Sequence, residues 1–149
     1  MKYEKKLELL RNASGVRPVQ FAALCLRRKA GRAEVLMITS RETGRWLLPK
    51  GWRMDDRSEG ETALTEAWEE AGVIGRLSGP ALGTYGAQKA LETGRPLQCR
   101  VEVHPVKVDK LAARYPEKGQ RRRKWVPLAK AARLVAEPEL AELLRSLKH

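Results

Sequence analysis

Two cysteines, two histidines and few aromatic residues narrow the reading of this 149-residue chain before any motif is considered. Cys25 and Cys99 are far apart and sit in apolar-rich segments, which argues against a disulfide framework or a cysteine zinc site. Packed, reduced thiols are the expectation. His104 falls on a strand-like stretch, where a packed side chain is the simpler reading, and His149 is the terminal residue. Aromatic residues make up 5% of the chain, too few for a platform that stacks the bases of a single strand. No apolar run is long enough to cross a membrane or to form the core of a secretory signal, so the expectation is a cytoplasmic chain with no membrane partner. Acidic charge is also scarce: 18 Asp and Glu stand against 30 Lys and Arg, leaving a formal charge of +12. That excess favours an anionic partner, either a polyphosphorylated small molecule or nucleic acid. The shortage of aromatics makes nucleic acid the less favoured of the two. The length points to one domain over 1–149, with 1–14 reading equally as a short helix or a flexible arm, and no feature fixes an oligomeric state.

The few acids are concentrated where they count. Ser58 followed three residues later by Glu61 forms a capping box, which predicts a helix start, and Gly72 supplies the left-handed residue that ends it. Within the helix Ala63, Leu64, Ala67, Trp68 and Ala71 recur at spacings of three and four, an apolar stripe to bury. Glu66, Glu69 and Glu70 share a different face. Taken alone, such a triplet reads as a solvated acidic face. Held together on one face, however, three carboxylates repel, and a hard cation such as Mg2+ or Mn2+ would relieve that repulsion while sharing its remaining positions with substrate phosphates.

The triplet sits in a longer pattern. Gly51 followed by Glu66-Ala67-Trp68-Glu69-Glu70-Ala71-Gly72-Val73 resembles the Nudix box, G-x5-E-x7-R-E-U-x-E-E-x-G-U with U aliphatic. Gly51, Glu66, Glu69, Glu70, Gly72 and Val73 fit at the right spacing. Arg57 stands where the family has its first Glu, and Thr65 where it has Arg. Those two family residues pair with each other, so their joint loss leaves no orphaned partner. The approach RETGRWLLPKG over 41–51 and GQRRRKW over 119–125 are similar to the branch that hydrolyses diphosphoinositol polyphosphates and diadenosine polyphosphates. The resemblance implies an α/β/α sandwich with a mixed sheet and a loop-helix-loop catalytic motif. It also implies a metal held by Glu66, Glu70 and a backbone carbonyl placed at Lys50, with Gly51 in the adjoining substrate-binding turn. Arg121 is the implied phosphate-facing residue, with Ser40 and Arg41 on the opposite wall.

Taken in order, the chain reads as a turn over 15–18, a strand over 19–26, a loop over 27–32 and a second strand over 34–39 that pairs with the first as a hairpin. A loop over 41–45 leads to the short apolar segment 46–48, after which Pro49, Lys50 and Gly51 break the strand. Beyond the helix, strands are predicted over 73–77 and 82–87, with a hairpin turn over 92–95. Leu97, Cys99, Val101 and Val103 alternate with polar residues, the period of a strand with one wet face, and Pro105 suggests a bulge or an edge position. A connector over 107–116, a short strand over 122–126 and two helices, the second opened by Pro138, complete an α/β domain with a mixed sheet between helices. Basic residues fall in four clusters that would converge on the metal: Arg17, Arg41 with Arg45, Lys89 with Arg95, and 121–124.

The chemistry expected from these residues is Mg2+-assisted hydrolysis of a phosphoanhydride bond, with Glu69 as the base that takes a proton from the attacking water. Arg17, Arg45 and Lys89 join Ser40, Arg41 and Arg121 as substrate contacts. Two alternatives stay open at this level: a Nudix hydrolase acting on nucleotides or RNA 5′ ends, and a non-catalytic Nudix-like module that binds nucleic acid.

Overall fold

Two apolar runs near the start of the chain organise the sheet. In the computed structural model, which describes residues 17–90 and 96–147, β1 (Val19–Lys29) and β2 (Arg32–Thr39) form the expected antiparallel hairpin. The loop expected over 27–32 is shorter than its composition suggests. Ala30 and Gly31 have φ of 52° and 78°, and consecutive left-handed residues match the right-handed twist of the strands, so pairing continues to Lys29 and Arg32.

The hairpin pairs only from its turn to Leu26 and Val35. Beyond that point the strands part. β3 (Trp46–Leu47) takes the free edge of β2, and β4 (Lys50–Trp52) pairs antiparallel with β1, so residues 50–52 extend the sheet where a plain strand break was expected. A cleft opens in this split.

β7 (Pro96–Leu111) runs parallel to β1 along one side. Its other side is shared in succession by β6 (Gly83–Ala90) and β5 (Val73–Leu77), both antiparallel. Pro105 therefore lies within a central strand, neither at an edge nor at its end. It falls in the gap between the segments covered by β6 and β5, and its carbonyl accepts from the Ser78 amide at 3.0 Å. A strand residue aims its N–H and C=O to the same side, so the N–H that proline lacks would have faced that gap, where no ladder partner is left unsatisfied. The strand continues to Leu111, which replaces the first half of the connector expected over 107–116. β8 (Arg123–Pro127) pairs antiparallel with β2.

Three helices among the described residues cover the sheet. α1 (Glu59–Ala71) packs Ala63, Ala67 and Ala71 against Phe21, Ala23, Cys25, Leu36 and Ile38. The alanines recur every fourth residue, and their small side chains bring the helix close to the sheet. Trp68, placed in the buried stripe by its spacing, is 36% exposed, because the contact face is narrowed to the alanine row. α2 (Leu128–Leu134) and α3 (Pro138–Ser146) bury Leu128, Ala131, Leu140 and Leu144 on the opposite face, against Ala22, Leu24, Val35 and Met37. Successive residues of β1 thus serve two cores, as alternation requires of a strand between two helical layers. Cys25 and Cys99 are buried thiols, and burial pushes the Cys25 thiol up to about 12, which keeps it protonated and inert at neutral pH. His104 is packed, with Nε2 2.8 Å from Glu102 Oε1. No described helix is long and apolar enough to cross a membrane. The proposed N-terminal arm and the turn over 92–95, with Arg95, lie outside the described residues, as does His149.

Candidate active site

Both ends of α1 are fixed locally, and this sets where its carboxylates point. Ser58 Oγ accepts from the Glu61 amide at 3.2 Å while Glu61 Oε1 accepts from the Ser58 amide at 2.9 Å, the reciprocal capping box expected from sequence. At the other end Gly72 adopts φ 70° and its N–H returns to the Trp68 carbonyl. Glu66 and Glu70, one turn apart, are held beside β4. Gly51 lies directly against Glu66: a Cβ at residue 51 would overlap the Glu66 carboxylate. The absence of a side chain at that position is what admits the carboxylate to the sheet.

Glu70 is the best-anchored acid of the three. It is 8% exposed, its Oε1 accepts from the Lys50 backbone N–H at 3.1 Å, and its Oε2 accepts from Arg121 Nη2 at 3.4 Å. Glu66 and Glu70 hydrogen-bond to each other. Burial holds Glu66 well above the usual carboxylate range, and the nearby Glu70 and Glu69 push it further. Burial also raises Glu70, with Arg121 and the Lys50 amide pulling in the opposite direction. Two carboxyls this close resist joint ionisation.

Among the described residues no three acidic, histidine or cysteine side chains already enclose a single point. The Glu66–Glu70 pair nonetheless fits a hard divalent cation. The charge of Glu70 and Glu69 raises Glu66, so positive charge placed there would favour the ionised forms, and the donors the pair offers are oxygen. The Lys50 N–H is turned toward Glu70, and on extended backbone the carbonyl of the same residue points to the same side, away from β1. Glu69 is half-buried on the same helix face and raises Glu66 by its charge.

A cleft of about 110 Å³ opens beside Glu70. Of the five basic residues expected as substrate contacts it gathers four, Arg41, Arg45, Lys89 and Arg121, and Ser40 and Lys50 line it with them. The 40–45 loop forms one wall and is closed by the Ser40 amide on the Arg45 carbonyl at 2.8 Å and the Gly44 amide on the Ser40 carbonyl at 2.9 Å. Arg41 Nη1 donates to Gln120 Oε1 at 3.0 Å. The Lys50 ammonium donates to Gln20 Oε1 at 2.7 Å, and burial, then Lys89, lowers its pKa. Gly51, Glu66 and Glu69 do not line this cleft and connect to it through Glu70. Arg17 is exposed and acts on Glu139, away from the cleft. Arg57 is exposed, 4.0 Å from Asp56, and Thr65 is half-buried.

The basic run over 121–124 divides by face, as strand alternation requires. Arg121 and Arg123 turn toward α1: Arg121 Nη2 reaches Glu70 Oε2 while its Nη1 donates to the Thr39 carbonyl of β2 at 3.1 Å, and Arg123 Nη1 donates to the Ala71 carbonyl at 2.7 Å. Arg122 lies over the Trp46 ring. Arg121 Nε also donates to Glu117 Oε1 at 3.1 Å. Glu117 is a site residue that sequence reasoning missed. Its charge raises both Glu66 and Glu70, and its amide donates to the Glu69 carbonyl at 2.9 Å, which ties the 112–118 segment to the helix end. The one available signal was its position four residues before Arg121. Gln20 and Glu137, also in the cleft, carried no signal.

No family model matches the chain. Over 118 residues it is 36% identical to Nudix hydrolase 21, chloroplastic, of Arabidopsis thaliana, covering 78% of this chain and 57% of that protein. Over 131 residues it is 30% identical to diphosphoinositol polyphosphate phosphohydrolase 3-beta of Homo sapiens, covering 85% of this chain and 76% of that one. The chain thus spans little more than half the length of the plant relative and about three quarters of the human one. Its fold is similar to that of C. elegans Ap4A hydrolase, with a TM-score of 0.62 at 19% identity, covering 87% of this chain and 95% of that chain. The split sheet, the capped helix with its carboxyl pair and these similarities lead to one conclusion: the chain belongs to the Nudix hydrolase family of pyrophosphohydrolases.

Proposed function

We propose that the chain hydrolyses a phosphoanhydride bond in a highly phosphorylated small molecule, such as a diphosphoinositol polyphosphate or a diadenosine polyphosphate. The observation that carries this reading is the hydrogen-bonded Glu66–Glu70 pair on α1, with Glu70 lining a cleft that also holds five basic side chains. Glu66, Glu70 and the Lys50 carbonyl would hold Mg2+, or Mn2+ in its place. Such a cation, when bound, neutralises diphosphate charge and acidifies water. Glu69 accepts the proton as the water oxygen attacks phosphorus and the bridging P–O bond breaks, with the departing phosphate carrying the electron pair. Arg41, Arg45 and Lys89 hold the flanking phosphates, and Ser40 fixes the loop that presents the first two. Arg121 uses three of its five N–H groups on Thr39, Glu70 and Glu117, which leaves two for a phosphate oxygen. Gly51 acts by giving Glu66 room. Arg17 has no part in this scheme.

The test is phosphate release from a panel comprising a diphosphoinositol polyphosphate, diadenosine polyphosphates, nucleoside triphosphates and a 5′-triphosphorylated RNA, with Mg2+ and with EDTA. Mg2+-dependent release from one of the first two is expected, and Glu69→Gln should lower kcat by roughly 10²-fold or more while substrate still binds. Release confined to RNA or mononucleotides would overturn the substrate class. Wild-type turnover in Glu69→Gln would remove Glu69 from the base role.

A further inference from the structure

The basic side chains of the cleft are held in two different ways. Arg121 is ion-paired, to Glu70 at 3.4 Å and to Glu117 at 3.1 Å, so part of its charge is already answered. Arg41 and Lys50 form no ion pair among the described residues, and each donates instead to a neutral amide. The Arg41 guanidinium donates to Gln120 Oε1 at 3.0 Å, and the Lys50 ammonium donates to Gln20 Oε1 at 2.7 Å. A carboxylate at either place would also orient the cation, but it would offset the charge that attracts a phosphate. An amide oxygen orients it and leaves the charge whole. Gln20 lines the cleft itself, whereas Gln120 does not. Any effect of the Gln120 side chain on the cleft therefore passes through Arg41.

The place of Gln120 is closely set from both sides. The Glu117 amide donates to the Glu69 carbonyl near the end of α1 at 2.9 Å, and the Gln120 amide donates to the Glu117 carbonyl at 3.0 Å. Gly119 is the third residue of the turn so formed and has φ 87°, which glycine adopts without strain. Just beyond it, Arg121 Nη1 donates to the Thr39 carbonyl and the Arg122 amide donates to Thr39 Oγ1 at 2.9 Å, two residues before Arg41. Hydrogen bonds and a single tight turn thus run from the Glu69 carbonyl to the Arg41 guanidinium. Arg41 is exposed on a long side chain, and among the described residues Gln120 is its one side-chain partner. We infer that Gln120 is a positioning residue, which holds the Arg41 guanidinium for a substrate phosphate, at a fixed place relative to the carboxylate helix, without neutralising it. The inference rests on the proposed function in one respect: Arg41 meets phosphate.

Calorimetric binding of inorganic diphosphate to the full chain in Mg2+ tests it, in wild type, Gln120→Met, Arg41→Ala and the double variant. Methionine keeps the reach of glutamine and removes its amide acceptor. Both positions are exposed, so neither replacement opens the core. Freeing one rotamer-rich side chain should weaken diphosphate binding by roughly two- to tenfold in Gln120→Met. In the Arg41→Ala background the same replacement should change nothing, because the group it positions is gone. Gln120→Glu, which adds an ion pair to Arg41, should bind more weakly than Gln120→Met. With a hydrolysed substrate, Gln120→Met should raise KM and leave kcat within about twofold. Wild-type affinity in Gln120→Met, additive losses in the double variant, a fall in kcat at unchanged KM, or diphosphate binding that Arg41→Ala leaves unaltered would each overturn the inference. The two claims separate because the main readout is binding. Coupling between Gln120 and Arg41 without phosphate release from any substrate keeps the positioning role and removes the hydrolase reading, and release without coupling does the reverse.

Discussion

At the scale of single residues, the Glu66–Glu70 pair makes stability depend on pH in a direction opposite to that of a salt-bridged acid. A carboxyl whose folded pKa lies above its ordinary value of 4.5 stabilises the fold while protonated, and that contribution is lost as pH rises through the folded value. For Glu66 that value is about 8, so the loss should run from about pH 5 to pH 8 in metal-free protein. The melting temperature in EDTA should therefore fall over this interval, by roughly 2–4 °C for each kcal/mol lost. Mg2+ should raise it more at pH 8 than at pH 5. Glu66→Gln separates the pair from the rest of the titration, and the variant should show a smaller fall. A profile as steep in Glu66→Gln as in wild type would contradict the assignment. Glu66, Glu69, Glu70 and Gly51 were legible because they stand at fixed spacings on one helix and one turn. Gln20 and Glu137, brought to the cleft from distant elements, and Glu117, brought to Arg121 on its wall, were not, because no local period marks them.

At the scale of elements, α1 was the most readable part of the chain because its start is marked by two side chains that bond within three residues and its stop by a glycine whose N–H returns four residues back. Ser58→Ala removes the Ser58 half of the capping box and should cost about 1 kcal/mol. A thermal melt followed by circular dichroism should show the midpoint lowered by roughly 2–4 °C, with Ser58→Asp close to wild type. An unchanged midpoint for Ser58→Ala would mean that packing of the alanine row alone fixes the helix start. Strand limits were less legible. The turn at Ala30 and Gly31 is tighter than a run of charged residues suggests, and β7 passes through Pro105 because its neighbours change there. Whether a proline sits at an edge depends on where other strands end, which local sequence does not encode. Trp68 shows the same limit for helices: spacing identified a stripe, whereas its width is set by the sheet it meets.

At the scale of the whole molecule, the alternation of strand and helix signals was enough to give an α/β class with a mixed sheet. The pairing was not legible, because β1 and β7 are joined in parallel by residues some eighty positions apart. The formal charge of +12 acts at this scale too. An anionic substrate should be drawn to the cleft by the summed field, and the attraction should weaken once the Debye length falls below about 10 Å, near 0.1 M salt. Raising KCl from 50 to 500 mM, as an order-of-magnitude titration, should lower kcat/KM mainly through KM. A salt-independent kcat/KM would show that the charge excess plays no part in capture.

The split between β1 and β2 carries a consequence for how such a chain can diversify. The acids sit on α1, the glycine that admits Glu66 on β4, and the cleft walls on the 40–45 loop and the α2–α3 junction. On the proposed scheme, bond cleavage and choice of substrate fall to separate stretches of chain. On that scheme, replacements in either wall would change which leaving group is held while the residues proposed to break the bond stay in place.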